Sequence, residues 1–469
     1  MRSRFAATAM IAAAGLVAAG CLGQSDEPEP AGDTVRNADA KQVSLTVTAN
    51  AVAGGKNAAS AAWYQSYVIP KFVEAQKAKG VDATVTFDGN GGADEQYKTK
   101  IALDFKTGGG ADIVNLDGIW VGEFADAGYI RPLDEVAGPA VNDWDGWRQI
   151  PEAVQNLGKF QDKRYAVTNG TDGRVLYYNK KLFAQVGLPS DWQPQTWDEV
   201  IAAAETLKGI SGITPIQLNA GTAMGEATSM QGVLPLLVGT GAEIYSDGKW
   251  QGNTESMSEV LSTYERIYGT GLGDPLLQQE AKGRDKSFQM FAGNQIGIML
   301  EGDYLWRGVL EPTVGVAKMP DRDTAVGWAK IPAFRKGGGV HGQDFVSMSG
   351  GGVRVVNPNT EFPQQAWELL QFMNSADALK AELAGQARIT QRQDVNDEIL
   401  SGDPLLSFIA KDVLPLTSYR PGLAQYPQVS AALQQATADV VAGKSVPVAA
   451  EAYQEAVIRA VGQDKVVTG

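Results

Sequence analysis

Apolar and polar residues alternate along Val43-Ser44-Leu45-Thr46-Val47-Thr48, which predicts a half-buried strand. A helix is expected over 63–79, and the alternation returns at 81–87 for a second strand. Tyr97, Ile101 and Phe105 fall four residues apart, one face of a helix that Gly108-Gly109-Gly110 ends. Residues 111–116 read as a third strand and 120–127 as another helix. Strand, helix, strand, helix is the signature of a parallel α/β sheet. A second series follows, with strands at 174–178, 213–218, 296–300 and 353–356. Between them, Thr196-Trp197-Asp198-Glu199 forms a capping box that opens a helix ending at Gly209. Phe288 and Phe291 mark a helix before the third of these strands, and 363–374 one after the fourth. The C-terminus is helical, most clearly over 429–443 and 448–461.

Ahead of the first strand, residues 22–42 are polar and proline-rich and predict a disordered tether. Earlier still, Arg2 and Arg4 precede an apolar run too short to span a membrane, which ends in Leu16-Val17-Ala18-Ala19-Gly20-Cys21. This pattern resembles the bacterial lipoprotein signal, in which the cysteine becomes the lipid-modified N-terminus. It implies a signal peptide over 1–20, lipidation at Cys21, and membrane attachment by that lipid alone.

Composition narrows the chemistry. Cys21 is the single cysteine, so neither a disulfide framework nor a cysteine-based zinc site is possible. The single histidine, His341, lies in a glycine-rich loop without a partner pattern for a triad or a metal, and no cofactor is expected. A net charge of −14, two units more negative without Arg2 and Arg4, argues against nucleic acid and anionic lipid as partners. Gly443-Lys444-Ser445 resembles the end of a Walker A loop, but Ala438 stands where its first glycine belongs. Ser349 has Ser347 in place of the glycine of a nucleophile elbow.

Several stretches together resemble one family, the carbohydrate-binding, maltose-binding-protein-like group of extracellular solute-binding proteins of ABC importers. They are Ala111-Asp112-Ile113-Val114-Asn115-Leu116-Asp117-Gly118-Ile119-Trp120, Leu176-Tyr177-Tyr178-Asn179-Lys180-Lys181-Leu182-Phe183 with Gly187-Leu188-Pro189, and Phe291-Ala292-Gly293-Asn294 before 296–300. Gly350-Gly351-Gly352 before a strand, and Tyr419-Arg420-Pro421-Gly422 with Tyr426-Pro427-Gln428-Val429, complete the set. The resemblance implies an α/β, two-lobe periplasmic-binding-protein-like fold with a hinge and an interlobe ligand cleft. It places lobe 1 at 41–170 plus 352–393 and lobe 2 at 173–350 plus 394–469. It further implies a monomer on the extracellular face of the cytoplasmic membrane that delivers a carbohydrate, an oligosaccharide by expectation, to ABC permease subunits without catalysis. A surface glycosidase, or the same fold binding a polyamine or metal complex, is the competing reading.

Sugars are bound by flat aromatic rings under their apolar faces and by charged or amide groups at their hydroxyls. Asp117 and Trp120 end a strand where α/β sheets place ligands, though a helix cap and a core ring are their structural alternatives. The family often carries an acidic ligand at the position of Asp172, which could equally belong to a hinge turn; Arg174 pairs with it or with ligand. Of Tyr304 and Trp306, one is expected to face ligand and the other the core. Asn219 and Glu226 are candidates by loop position. Phe345 and Gly351 flank a glycine-rich crossing where backbone can approach ligand. Tyr419 and Arg420 could close the cleft, with solvated loop residues as the alternative.

Overall fold

The computed structural model describes residues 33–469 except 54–56, 93 and 384–386. The expected signal peptide and Cys21 lie outside the described residues. Twelve strands carry the architecture: β1 (Gln42–Ala49), β2 (Asp82–Gly89), β3 (Ile113–Asp117), β4 (Val167–Thr168), β5 (Arg174–Asn179), β6 (Thr214–Gln217), β7 (Ile296–Gly302), β8 (Val326–Ala329), β9 (Ile331–Pro332), β10 (Phe345–Ser349), β11 (Gly352–Val356) and β12 (Thr417–Tyr419). The alternation read at 43–48 holds at the start of β1, where Val43 and Leu45 are buried between more open neighbours, and ends at Val47, which is followed by the buried Thr48.

Lobe 1 is built on a sheet of order β2-β1-β3-β11-β4. Its first three strands are parallel, because helices carry the chain back between them, and β11 returns antiparallel to β3. Tyr97, Ile101 and Phe105 bury the predicted face of the helix Asp94–Lys106 under this sheet. Lobe 2 has a sheet of order β8-β5-β7-β6, in which β5 is buried along its whole length. A third small sheet, β9-β10-β12, joins the lobes. The structure is thus the two-lobe periplasmic-binding-protein fold. One apolar cluster ties the lobes together, since Leu405, Leu406 and Ile409 pack in the same core as Leu45 of lobe 1 and Met299 of lobe 2.

Two local expectations change. The tether predicted to run to residue 42 gives way by residue 34, because the side-chain amides of Gln364 and Gln365 donate to the carbonyls of Thr34, Asn37 and Ala38. The capping box at Thr196 is shifted. Thr196 Oγ1 accepts from Glu199 N at 3.3 Å, but Glu199 Oε2 accepts from Gln195 N rather than from the cap residue itself.

Between the lobes, three chain segments cross in contact. Asp172 Oδ1 accepts from Gly350 N at 2.7 Å and pairs with Arg174, while its carbonyl accepts from Ser349 Oγ. Ser347 Oγ accepts from Arg174 N and donates to Arg174 O, and Thr417 Oγ1 donates to Ser349 Oγ at 2.5 Å. The crossing is tight enough to need glycine. A Cβ on Gly351 would stand 2.2 Å from the carbonyl oxygen of Gly170. Gly351→Ala is therefore predicted to cost about 1–3 kcal/mol in chemical denaturation, as overpacking does; wild-type stability would mean the crossing segments part freely.

Candidate functional site

The C-terminal ends of β1, β2 and β3 open on a cavity of about 350 Å³ between the lobes. This is where parallel sheets place ligands, because loops rather than helices cover that edge. Lobe 1 supplies Asn50 after β1, Asp94 after β2, and Asn115, Asp117 and Trp120 at and after β3. The crossing segments supply Asp172 and Gly351, and lobe 2 supplies Arg307. Asn50 Nδ2 donates to Asp94 at 2.8 Å, and Asn115 Nδ2 donates to the Tyr64 hydroxyl at 2.8 Å. The amide oxygens of both asparagines are buried without a protein hydrogen bond among the described residues. They are acceptors suited to ligand hydroxyls.

Asp117 is a helix cap that also lines the cavity. It caps the short helix Gly118–Trp120 by accepting from Ile119 N at 3.2 Å, and its carboxylate remains accessible from the cavity. Burial in this concave wall raises its pKa, opposed chiefly by the nearby Arg420 guanidinium. Trp120 is a core ring with one edge at the cavity. It is only 6% exposed and lies between Tyr97 and Phe124, with Lys98 over its face. It therefore offers no open platform for a sugar. Asp172 lines the cavity, but the Arg174 guanidinium is spent on Asp172 and the Met348 carbonyl. Arg174 is thus a hinge residue, not a ligand contact.

The lobe 2 candidates form a network of their own. Glu301, fully buried at the end of β7, accepts from Arg284 Nη2 at 2.8 Å, from Asn219 Nδ2 at 3.1 Å and from the Tyr304 hydroxyl. Gln231 Nε2 donates to the same hydroxyl at 2.7 Å. Tyr304 and Asn219 are therefore tied into one network, and neither lines the first cavity. Trp306 is the core member of its pair, covered by Arg322 at 3.8 Å and donating to Asp403. Phe345 is corrected. It opens β10, about 16 Å of extended chain before Gly350, and packs beneath Lys330 instead of facing the cavity.

Tyr419 and Arg420 line a second cavity, of about 570 Å³, rather than the first. The Tyr419 hydroxyl contacts Thr171 Oγ1 at 3.0 Å, so this half-buried residue is part of the crossing. Arg420 donates to Glu226 Oε1 at 3.1 Å, and Glu226 also accepts from Tyr426 and Ser430. Both residues fall in the segments expected for lobe 2, so the ion pair braces that lobe.

Sequence reasoning missed Asn50, Asp94, Tyr64, Arg307, Arg354 and Arg388, all of which line the first cavity. Asn50 and Asp94 follow β1 and β2 as Asp117 ends β3, so the strand-end rule would have found them. Tyr64 and Arg307 sit on the π-helical turns Tyr64–Val68 and Leu305–Val309, and nothing in their periodicity marked such turns.

Desolvation by the wall raises the Asp117 pKa, but the side chain is exposed to solvent at the cavity, so its ionised form costs little stability at neutral pH and that small cost fades as pH falls through the raised value. Asp117→Asn, which keeps the cap, is predicted to leave the unfolding midpoint at neutral pH unchanged or higher while weakening ligand binding roughly tenfold. A lower midpoint with unaltered affinity would assign Asp117 to the fold alone.

Comparison with known proteins agrees with this geometry. A binding protein of Brucella abortus (strain 2308) is 23% identical over 411 residues, covering 86% of this chain and 93% of its own. An ABC transporter solute-binding protein of Thermotoga lettingae, solved with alpha-D-tagatose, is 23% identical with a TM-score of 0.57, over 88% of this chain and 99% of that one. The cyclic alpha-maltosyl-1,6-maltose binding protein of Arthrobacter globiformis is 20% identical with a TM-score of 0.69, over 90% and 99%. Both share the two-lobe fold. Residues 54–380 match the bacterial extracellular solute-binding protein family, and this chain belongs to that family.

Proposed function

We propose that this protein captures a carbohydrate in the interlobe cavity and hands it, unaltered, to the permease of an ABC importer. The observation that carries this is the cavity wall. Amides and carboxylates at three adjacent strand ends face a space between two hinged lobes. Such groups hydrogen-bond a polyhydroxylated ligand from many sides, and two unpaired amide acceptors give the wrong isomer a cost. The names of the similar structures, which bind tagatose and a maltose-derived ring, support the same class. The cavity stands near the lower end of the 300–1,000 Å³ usual for small ligands. With no open aromatic platform at Trp120, it favours a short carbohydrate over the oligosaccharide expected from resemblance. Closure is a hinge motion about the crossing at Asp172, with each protein acting as a monomer.

Among the described residues no helix is long and apolar enough to cross a membrane. Cys21, behind an apolar run with a basic start, supplies a lipid anchor on the extracellular face. Cys21→Ser is predicted to move the protein from the membrane fraction into the soluble fraction; unchanged membrane association would remove the lipid from this account.

A thermal-shift panel of mono- to tetrasaccharides, polyamines and ferric complexes tests the ligand class. Ligand at about 100 times its Kd adds about 2.7 kcal/mol to the folded state. A rise with a carbohydrate that is recovered intact is the expected result. A rise only with a polyamine or ferric complex, or consumption of the sugar, would overturn the proposal.

A further inference from the structure

The first cavity holds charge of both signs, carried by different elements. Asp94 and Asp117 stand at the strand ends of lobe 1. Arg354 on β11, with Arg388 and Glu382 from the chain after residue 376, forms another part of the wall. Arg354 is a cation in an apolar strand, Val353-Arg354-Val355-Val356, and is 1% exposed. Its Nη1 reaches Asn374 Oδ1 at 3.2 Å and its Nε the Tyr64 hydroxyl at 3.4 Å, both neutral, and its guanidinium lies over Trp63. The carboxylate nearest to it is Glu382, at 3.8 Å, and Glu382 is shared with Arg388 at 3.5 Å. Two guanidiniums thus share one carboxylate at the cavity wall. Arg307, by contrast, is matched by Asp303 at 2.8 Å.

A buried cation without a full counter-charge is costly, and guanidinium pairs match the geometry of carboxylate and phosphate. Hydroxyls, in turn, donate well to carboxylates and amide oxygens. Resting on the carbohydrate reading above, we infer that the ligand is a short carbohydrate bearing one anionic group, carboxylate or phosphate, seated on Arg354 and Arg388. Its hydroxyls are then held by Asn50, Asp94, Asn115 and Asp117.

The test is titration calorimetry of the purified protein with matched sets: glucose, glucuronate and glucose 6-phosphate, then the galactose and mannose equivalents. An anionic member is expected to bind roughly tenfold or more tightly than its neutral parent, the size of a charge-assisted contact. The uronate and phosphate arms distinguish the two anions. Arg388→Gln is expected to erase that preference while the unliganded unfolding midpoint stays in place, and Arg388→Lys to restore part of it. Neutral sugars binding as well as their anionic partners, or a preference that survives Arg388→Gln, would overturn the inference and leave the carbohydrate function standing. Binding of no sugar of either kind would overturn both.

Discussion

The carboxylate of Asp172 is the contact on which the two-lobe arrangement depends. It sits where three chain segments cross, and it takes hydrogen bonds from the backbone of one segment and the guanidinium of its own strand. Arg174 is 5% exposed, so without Asp172 a cation would be left buried and unpaired, which typically costs about 3–5 kcal/mol. The serines and threonine around the pair satisfy the remaining backbone groups of the crossing. The crossing alternates polar contacts with apolar ones, since Val346 and Met348 of the same strand pack in the lobe 2 core. Polar partners with defined geometry fix the segments in one register, where an apolar contact would let them slide.

The same frame explains why the two walls of the cleft differ. Lobe 1 presents strand ends, and its side chains there keep hydrogen-bonding capacity in reserve. In lobe 2, Glu301 holds Arg284, Asn219 and Tyr304 together, while the amide oxygens of Asn219 and Gln231 are likewise buried without a partner among the described residues. Both walls thus keep buried amide acceptors, and the lobe 2 network is the more heavily cross-linked. Arg420 and Glu226 add an ion pair between two segments of lobe 2. A braced lobe suits hinge closure as a rigid body.

Much of the fold was legible in the sequence because its strands and helices carry clear periodicity. The alternation at 43–48 and the four-residue spacing of Tyr97, Ile101 and Phe105 report burial directly. The cavity lining was legible only where it shares a residue with a motif, as at Asp117, Asp172 and Gly351. Trp306 and Trp120 show the limit. An aromatic near a cleft looks the same in sequence whether its face is open or covered, and here Arg322 covers one while Tyr97 and Phe124 hold the other. Phe345 failed for a different reason, since a strand entering the crossing has only one end at the cavity. Arg354 was visible as a charge within an apolar strand, but its significance appears only when Arg388 and Glu382, distant in sequence, come beside it.

We propose that one carbohydrate molecule occupies the interlobe cavity and leaves it unchanged. Native mass spectrometry of the protein, purified rapidly from cells grown on mixed polysaccharide hydrolysate, tests this most directly. The account predicts a one-to-one adduct with the mass of an intact short carbohydrate, greatly diminished in Asp117→Asn. An adduct of non-carbohydrate mass, or one that persists undiminished in Asp117→Asn, would contradict it.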